Sequence, residues 1–177
     1  VQMIPAPGTK IKTQQMLEET DLVIVTGSQN NVRRAYTSGT PAIGVGAGNV
    51  TVIIDETSNL KDAAVKIAAS KTFDNATSCS SENSLIIIDE IYDAFIKELS
   101  LVGCVTLEKS FQKKITDRLW KKGQLNRDAV AQDAKKLIVA LGLESNVPED
   151  TKIIGIETDG IGEGYPLSGE KLSRVIS

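Results

Sequence analysis

The chain has 177 residues, of which 41% are apolar, and its 20 basic and 23 acidic side chains leave a net charge of −3. This length and apolar content predict a substantial core in no more than two compact units. Histidine is absent, which excludes a Ser/His/Asp triad, a Cys/His pair and a histidine-based metal site within the chain. The scattered lysines argue against a nucleic-acid-binding surface.

Targeting signals and paired cysteines are also missing from the sequence. No apolar run approaches the roughly 20 residues that span a bilayer, and residues 1–5 lack the basic and apolar regions of a secretory signal. We therefore expect a cytoplasmic protein with no membrane partner. Cys79 and Cys104 form no CxxC pair, so we expect neither a metal site nor a disulfide framework.

The first part of the chain has the pattern of a β-α-β unit. Short apolar runs at 22–26 and 41–45 flank a helical pattern at 30–37. Continuous apolar strands joined through a helix favour a parallel sheet, as in dinucleotide-binding folds. Gly27 and Ser28 follow the first strand, where such folds bind their ligand, although Gly-Ser pairs also form ordinary turns.

Three alternating glycines, Gly44, Gly46 and Gly48, precede a strand pattern at 50–54. They could form a phosphate loop. A Rossmann glycine fingerprint, however, opens a helix, whereas these glycines lead into another strand. We therefore interpret them as a crossover between domains that lines the cleft.

A helix that begins at Asn59 delivers the most informative segment, residues 73–83. Its apolar stripe is Leu60, Ala63, Ala64, Ile67 and Ala68. Cys79 follows among hydroxyl and amide side chains, which favours a reactive nucleophile, although a free cysteine is often simply packed. Cys104 lies in an apolar run and is expected in the core.

The remaining segments predict further α/β structure and a long loop. Expected elements are a strand at 84–88, a helix at 91–99, an apolar stripe of Phe111, Ile115 and Leu119, a helix from Asp133 to Leu141 ended by Gly142, a strand at 152–157, and an irregular loop at 155–169 that presents Glu170. Lys113, Lys114, Lys121 and Lys122 either attract the phosphates of a ligand or form a solvated helix face, and the second interpretation is favoured.

Three motifs resemble the acylating, CoA-dependent branch of the aldehyde dehydrogenase superfamily. They are the Phe-Asp-Asn run at 73–75 leading to Cys79 and the Glu-Asn pair at 82–83, the segments 21–27 and 36–49, and the Glu-Lys-Leu-Ser run at 170–173. Their order is the family's order, and they cover nearly the whole chain. Arg174 and Ala47 stand where the family usually, or often, has proline.

The resemblance implies an α/β fold: the end of a Rossmann-like cofactor domain, residues 1–45, followed by the catalytic domain, residues 46–177. It assigns Cys79 as the nucleophile that forms a thioacyl-enzyme, with its backbone N–H as an oxyanion donor. Asn75 is a second candidate donor, but is favoured as a support of the loop. Glu170 resembles the glutamate that contacts the nicotinamide ribose, against the alternative of an exposed loop acid.

The resemblance also distinguishes two second half-reactions. Hydrolytic members carry a water-activating glutamate in the crossover loop, where a gapless match places Val45. Valine cannot act as a base, so the expected acceptor of the acyl group is CoA. The implied cofactor is NAD or NADP, bound with the help of Gly27, Ser28, Gly46 and Glu170.

The expected reaction joins an aldehyde, CoA and NAD(P)⁺ to give acyl-CoA and NAD(P)H. Succinic semialdehyde, sulfoacetaldehyde, acetaldehyde and propionaldehyde stay open as substrates. A hydrolytic dehydrogenase and a non-catalytic relic of the fold are the alternatives. We also expect that the complete protein is longer at both ends and homo-oligomeric, and that the 177 residues alone bind NAD⁺ no more tightly than millimolar and lack activity.

Overall fold

The computed structural model describes residues 3–177 and divides into two compact units, the first ending at Ala47 and the second spanning Gly48–Ser177. The helices are α1 (Lys10–Glu19), α2 (Gln29–Tyr36), α3 (Leu60–Thr72), α4 (Tyr92–Leu101), α5 (Gln112–Leu119) and α6 (Ala134–Leu141). The strands are β1 (Val23–Thr26), β2 (Ala42–Val45), β3 (Val50–Ile54), β4 (Glu82–Ile87), β5 (Cys104–Leu107), β6 (Trp120–Lys121), β7 (Gln124–Leu125), β8 (Ile153–Ile156) and β9 (Val175–Ile176).

The first unit contains the predicted β-α-β arrangement. Strands β1 and β2 pair in parallel, with Val23 opposite Ala42. Its small core is formed by Leu17, Val23 and Ala35. Because Leu17 comes from α1, a helix that the sequence pattern did not indicate, this extra helix covers the two strands.

The second unit is built on parallel strands. Strand β3 pairs with β4, and β8 lies between β5 and β9. Ser177 joins the two groups, since its N–H donates to Asn83 O at 3.1 Å and its carbonyl accepts from Leu85 N at 2.7 Å. The strand order is therefore β3, β4, β9, β8, β5.

Strand β8 is buried at every position, as expected for a central parallel strand. Because successive side chains point to opposite faces, Ile153 packs with α3 and α4 through Ile67 and Phe95, while Ile154 and Ile156 join the core formed around α5 and α6. Helices thus cover both faces of this strand.

The predicted start of α3 and both predicted boundaries of α6 are confirmed. Asn59 caps α3 by accepting from Asp62 N, and Asp133 caps α6 by accepting from Lys136 N. Gly142 ends α6 in the left-handed conformation, with φ 66°, which glycine adopts without steric cost.

Other boundaries differ from the predictions. Strand β4 begins two positions earlier than expected because Glu82 already pairs with Val50. The predicted 91–99 helix is α4 and runs on to Leu101. Strand β5, the β6–β7 hairpin and β9 were not predicted, since their short runs show little periodicity.

Neither a membrane-spanning helix nor a cluster of metal ligands occurs among residues 3–177. No helix there combines the length and hydropathy of a membrane span. Nor does any group of three histidine, cysteine, aspartate or glutamate side chains converge in that part of the chain as metal ligands would.

Candidate active site

A left-handed turn leads from α3 to Cys79. Asp74, Asn75 and Ala76 have φ of 45°, 54° and 58°. Each non-glycine residue in this region costs roughly 1–2 kcal/mol, and such strain concentrates at functional sites. The turn redirects the chain after α3 and begins the polar segment that carries the cysteine.

Side-chain hydrogen bonds hold this turn. Arg174 Nη2 donates to Asn75 Oδ1 at 2.7 Å and to Thr72 O at 3.2 Å. Thr77 Oγ1 donates to Asp74 O at 2.5 Å. Asn75 thus acts as an acceptor for Arg174, which fits the supporting role that the sequence favoured for it over an oxyanion donor.

Cys79 is exposed. Ser78 and Ser80, on either side, share a hydrogen bond between their hydroxyls at 2.8 Å. Among residues 3–177 no acceptor occupies the Cys79 backbone N–H, so this donor is available to an oxyanion.

Cys104 has the opposite environment. It is 2% exposed in the core that packs against α3 and α4, as the sequence predicted. Burial raises the pKa of its thiol to about 12 because the apolar surroundings disfavour the thiolate. Only Cys79 of the two cysteines is therefore suited to act as a nucleophile near neutral pH.

Gly48 lies between Cys79 and Glu170. Its N–H donates to Glu170 Oε1 at 3.3 Å. A β-carbon at Gly48 would lie 3.2 Å from Cys79 O and 3.9 Å from Glu170 Oε1, so a side chain here would crowd Cys79 and touch Glu170. Asn49 fastens the same stretch, since its Nδ2 donates to Ser168 O at 2.9 Å.

The cofactor-binding candidates of the first unit have local structural roles of their own. Ser28 Oγ accepts from Asn31 N and caps α2. Gly27 has φ 134°, which disfavours any other residue. A β-carbon at Gly46 would lie 2.5 Å from the Gln29 side chain. Their cofactor roles stay predictions.

Two buried lysines donate to the backbone at the end of the Cys79 segment, residues 73–83. They were not identified from the sequence. Lys71 and Lys171 are both 0% exposed. Burial lowers the pKa of Lys71 to about 8 and that of Lys171 to about 7, where the charge of Lys71 adds to the effect. The periodicity held a signal for Lys71, because it continues the buried face of Ala64 and Ile67 on α3.

The lysines near α5 form contacts with their own surroundings. Lys113 pairs with Asp117 at 2.7 Å and Lys121 with Asp128 at 3.0 Å. Lys114 donates to Gly142 O. These contacts fit a solvated surface rather than a phosphate site.

Curated relatives match this chain over its whole length. A sulfoacetaldehyde dehydrogenase (acylating) of Cupriavidus necator is 48% identical over 177 residues, all of this chain and 36% of that protein. An acetylating aldehyde dehydrogenase structure from Geobacillus thermoglucosidasius superposes with a TM-score of 0.89 at 35% identity, covering 95% of this chain and 37% of that one. The chain is homologous to the acylating aldehyde dehydrogenases. No family model matches it.

Two other structures of these dehydrogenases contain ligands. A propionaldehyde dehydrogenase of Rhodopseudomonas palustris, 26% identical with a TM-score of 0.78 over 94% of this chain and 38% of that one, has bound CoA and an acylated cysteine. An engineered glycolyl-CoA reductase, 27% identical with a TM-score of 0.81 over 95% of this chain and 38% of that one, has bound NADP⁺. Homologues therefore bind a nicotinamide nucleotide and CoA.

The chain matches one part of each of these relatives. The chain spans about a third of the length of the curated sulfoacetaldehyde dehydrogenases that it matches. The predicted α/β fold is confirmed by the parallel strands and by the aldehyde dehydrogenase neighbours. The domain boundary at 45 and the site roles stay predictions.

Proposed function

We propose that the protein oxidises an aldehyde with NAD(P)⁺ and transfers the acyl group to CoA. The observation that carries this proposal is the exposed Cys79, placed beside Gly48 and Glu170 in a chain without histidine. Homology to acylating aldehyde dehydrogenases supports it.

Cys79 would perform the first bond-forming step. Its thiolate adds to the aldehyde carbon, and the oxygen that becomes negative accepts the Cys79 backbone N–H. The bound nicotinamide would supply the hydride acceptor. Loss of hydride from the carbon attached to sulfur leaves a thioester on Cys79.

Glu170 and Gly48 fit a nucleotide ribose. The carboxylate has about four lone-pair sites, and the Gly48 N–H occupies one oxygen, Oε1. The other sites can accept the ribose hydroxyls, and the missing side chain at Gly48 leaves room for a close approach. These two residues would orient the nicotinamide end of the cofactor.

CoA would complete the reaction. Val45, 55% exposed at the end of β2, has no group that activates water. The thioester on Cys79 therefore persists until the CoA thiol attacks its carbonyl carbon and releases the Cys79 thiolate. Sulfoacetaldehyde is the first aldehyde to test, because a relative at 48% identity is named for it.

A burst experiment tests this proposal. The full-length gene product, given aldehyde and NAD(P)⁺ without CoA, should form about one equivalent of NAD(P)H per active site and then slow sharply. Added CoA should restore steady turnover. Parallel assays with NAD⁺ and NADP⁺ identify the nucleotide, and sustained carboxylate formation without CoA would exclude the acylating reaction.

A further inference from the structure

The segment after Glu170 contacts the Cys79 segment on both sides of the cysteine. Arg174 bonds to Thr72 and Asn75, which precede Cys79. Lys171 bonds to Asn83, which follows it. Lys171 and Arg174, three positions apart in sequence, thus contact the two ends of the loop that carries Cys79.

The contact before Cys79 is a charge-assisted hydrogen bond to a strained turn. Arg174 Nη2 lies 2.7 Å from Asn75 Oδ1, within the range of strong ionic hydrogen bonds. Because the left-handed turn costs energy, surrounding contacts must hold it in place. The guanidinium supplies such a contact across 99 positions of sequence.

On the other side of Cys79, the buried side-chain nitrogen of Lys171 has three hydrogen-bond partners. Lys171 Nζ lies 2.8 Å from Asn83 O, 3.1 Å from Gly169 O and 3.2 Å from Ser177 Oγ. Its backbone N–H also donates to Asn83 Oδ1 at 3.1 Å. Gly169 directly precedes Glu170, so one side chain connects the strand after Cys79 to the Glu170 loop.

A second buried lysine, Lys71, supports the backbone next to Asn83. Lys71 on α3 donates to Glu82 O, the carbonyl next to Asn83. Glu82 on β4 is the acid whose charge acts on Lys71. Because a buried polar group costs free energy unless it is hydrogen-bonded, the carbonyls of Glu82 and Asn83 provide partners that the two buried lysine side chains need.

We propose that Arg174 and Lys171 are positioning residues that clamp the Cys79 segment at its two ends and so fix it relative to Glu170. This inference rests on the proposed function for the roles of Cys79 and Glu170. Loss of either end should release the loop, so the two contacts act as a unit.

Cys79 alkylation in the 177-residue chain tests the clamp without any catalysis. Iodoacetamide should modify Cys79 readily in the folded chain, because the thiol is exposed and the clamp holds its segment in that accessible position. Arg174→Met and Lys171→Met should each lower the folded rate about tenfold, the equivalent of one charged hydrogen bond. The double variant should fall no further than the singles, since coupled residues are non-additive.

Conservative and control variants separate positioning from general damage. Arg174→Lys keeps a cation and should regain part of the rate lost in Arg174→Met. Arg127→Met, at an exposed arginine outside the clamp, should leave the rate unchanged. If Arg174→Met does not fold, Asn75→Ala removes the acceptor of the same bond and should slow alkylation equally. Folded variants that alkylate at the wild-type rate would overturn the proposal.

The full-length gene product supplies a second readout. Lys171→Met should raise KM for the nucleotide about tenfold, the loss of one well-placed contact, with a smaller change in kcat, because the Glu170 loop loosens. Unchanged KM would contradict the link to Glu170. Absence of CoA-dependent turnover in the wild type would refute the proposed function, while the alkylation rates would still decide the clamp.

Discussion

Raising the pH from about 7 to about 9 should stabilise this chain, which is unusual for a protein. Lys171 is the cause. Burial and the nearby charge of Lys71 lower its pKa from 10.5 to about 7, so in this window the folded chain holds the amine neutral while the unfolded chain still binds the proton. The unfolded state therefore binds more protons, and the free energy of unfolding rises with pH.

The size of the effect follows from that proton difference. One full proton contributes about 1.4 kcal/mol per pH unit. Since Lys171 is half titrated near pH 7, it contributes about 2 kcal/mol between pH 7 and 9. Lys71, with a pKa lowered to about 8, adds in the same direction. Above about pH 10 the trend reverses, because the unfolded chain then loses its lysine protons as well, whereas Cys104 and Tyr92 have pKa values raised to about 12 in the fold.

Urea unfolding at a series of pH values measures this directly. The free energy of unfolding should rise by about 3 kcal/mol from pH 7 to pH 9 in the wild type, and Lys171→Met should remove about 2 kcal/mol of this rise. Lys66→Met is the matched control, since Lys66 is exposed and pairs with Asp62 on the surface. A flat or falling wild-type curve, or an equal rise in Lys171→Met, would refute the assignment.

Three further outcomes are expected. Near pH 8, iodoacetamide should modify one thiol, Cys79, in the folded chain and both thiols after unfolding, because Cys104 ionises only near pH 12; peptide mapping that finds Cys104 modified first would contradict this. In the full-length gene product, Cys79→Ser should abolish NAD(P)H formation, whereas Cys104→Ala should retain turnover, and equal losses would exclude Cys79 as the nucleophile. Val45→Glu should gain carboxylate formation without CoA, whereas the control Val45→Gln should not, because an amide cannot act as a base. No gain in Val45→Glu would contradict the match at Val45.

Sequence patterns indicated the elements whose signals are local. The β-α-β unit follows from continuous apolar runs, and the α3 and α6 boundaries follow from Asn59, Asp133 and Gly142, whose capping preferences act over a few residues. The contrast between exposed Cys79 and buried Cys104 was equally local, because it depends on the polarity of neighbouring side chains.

The contacts that hold the site were not predictable in this way. Arg174 reaches Asn75 only after β9 is placed beside β8 and β4, and nothing near Arg174 in sequence indicates that partner. Lys171 lay within a resembling motif, but its burial depends on packing of distant strands. Helix α1 was missed because its sequence is largely polar, so its contact with β1 through Leu17 has little periodic signal.

The central position of β9, the last strand of the chain, has a consequence for synthesis on the ribosome. Strands β3 and β4 leave the ribosome early, yet β4 gains its second neighbour only when Ser177 has been made. Long-range pairing of this kind slows folding, because the loop must close before the contact forms. Cys79 should therefore spend much of translation on an unfinished sheet with an open edge, the state in which nascent chains associate wrongly. Chaperone binding during translation would protect this thiol as well as the backbone around it.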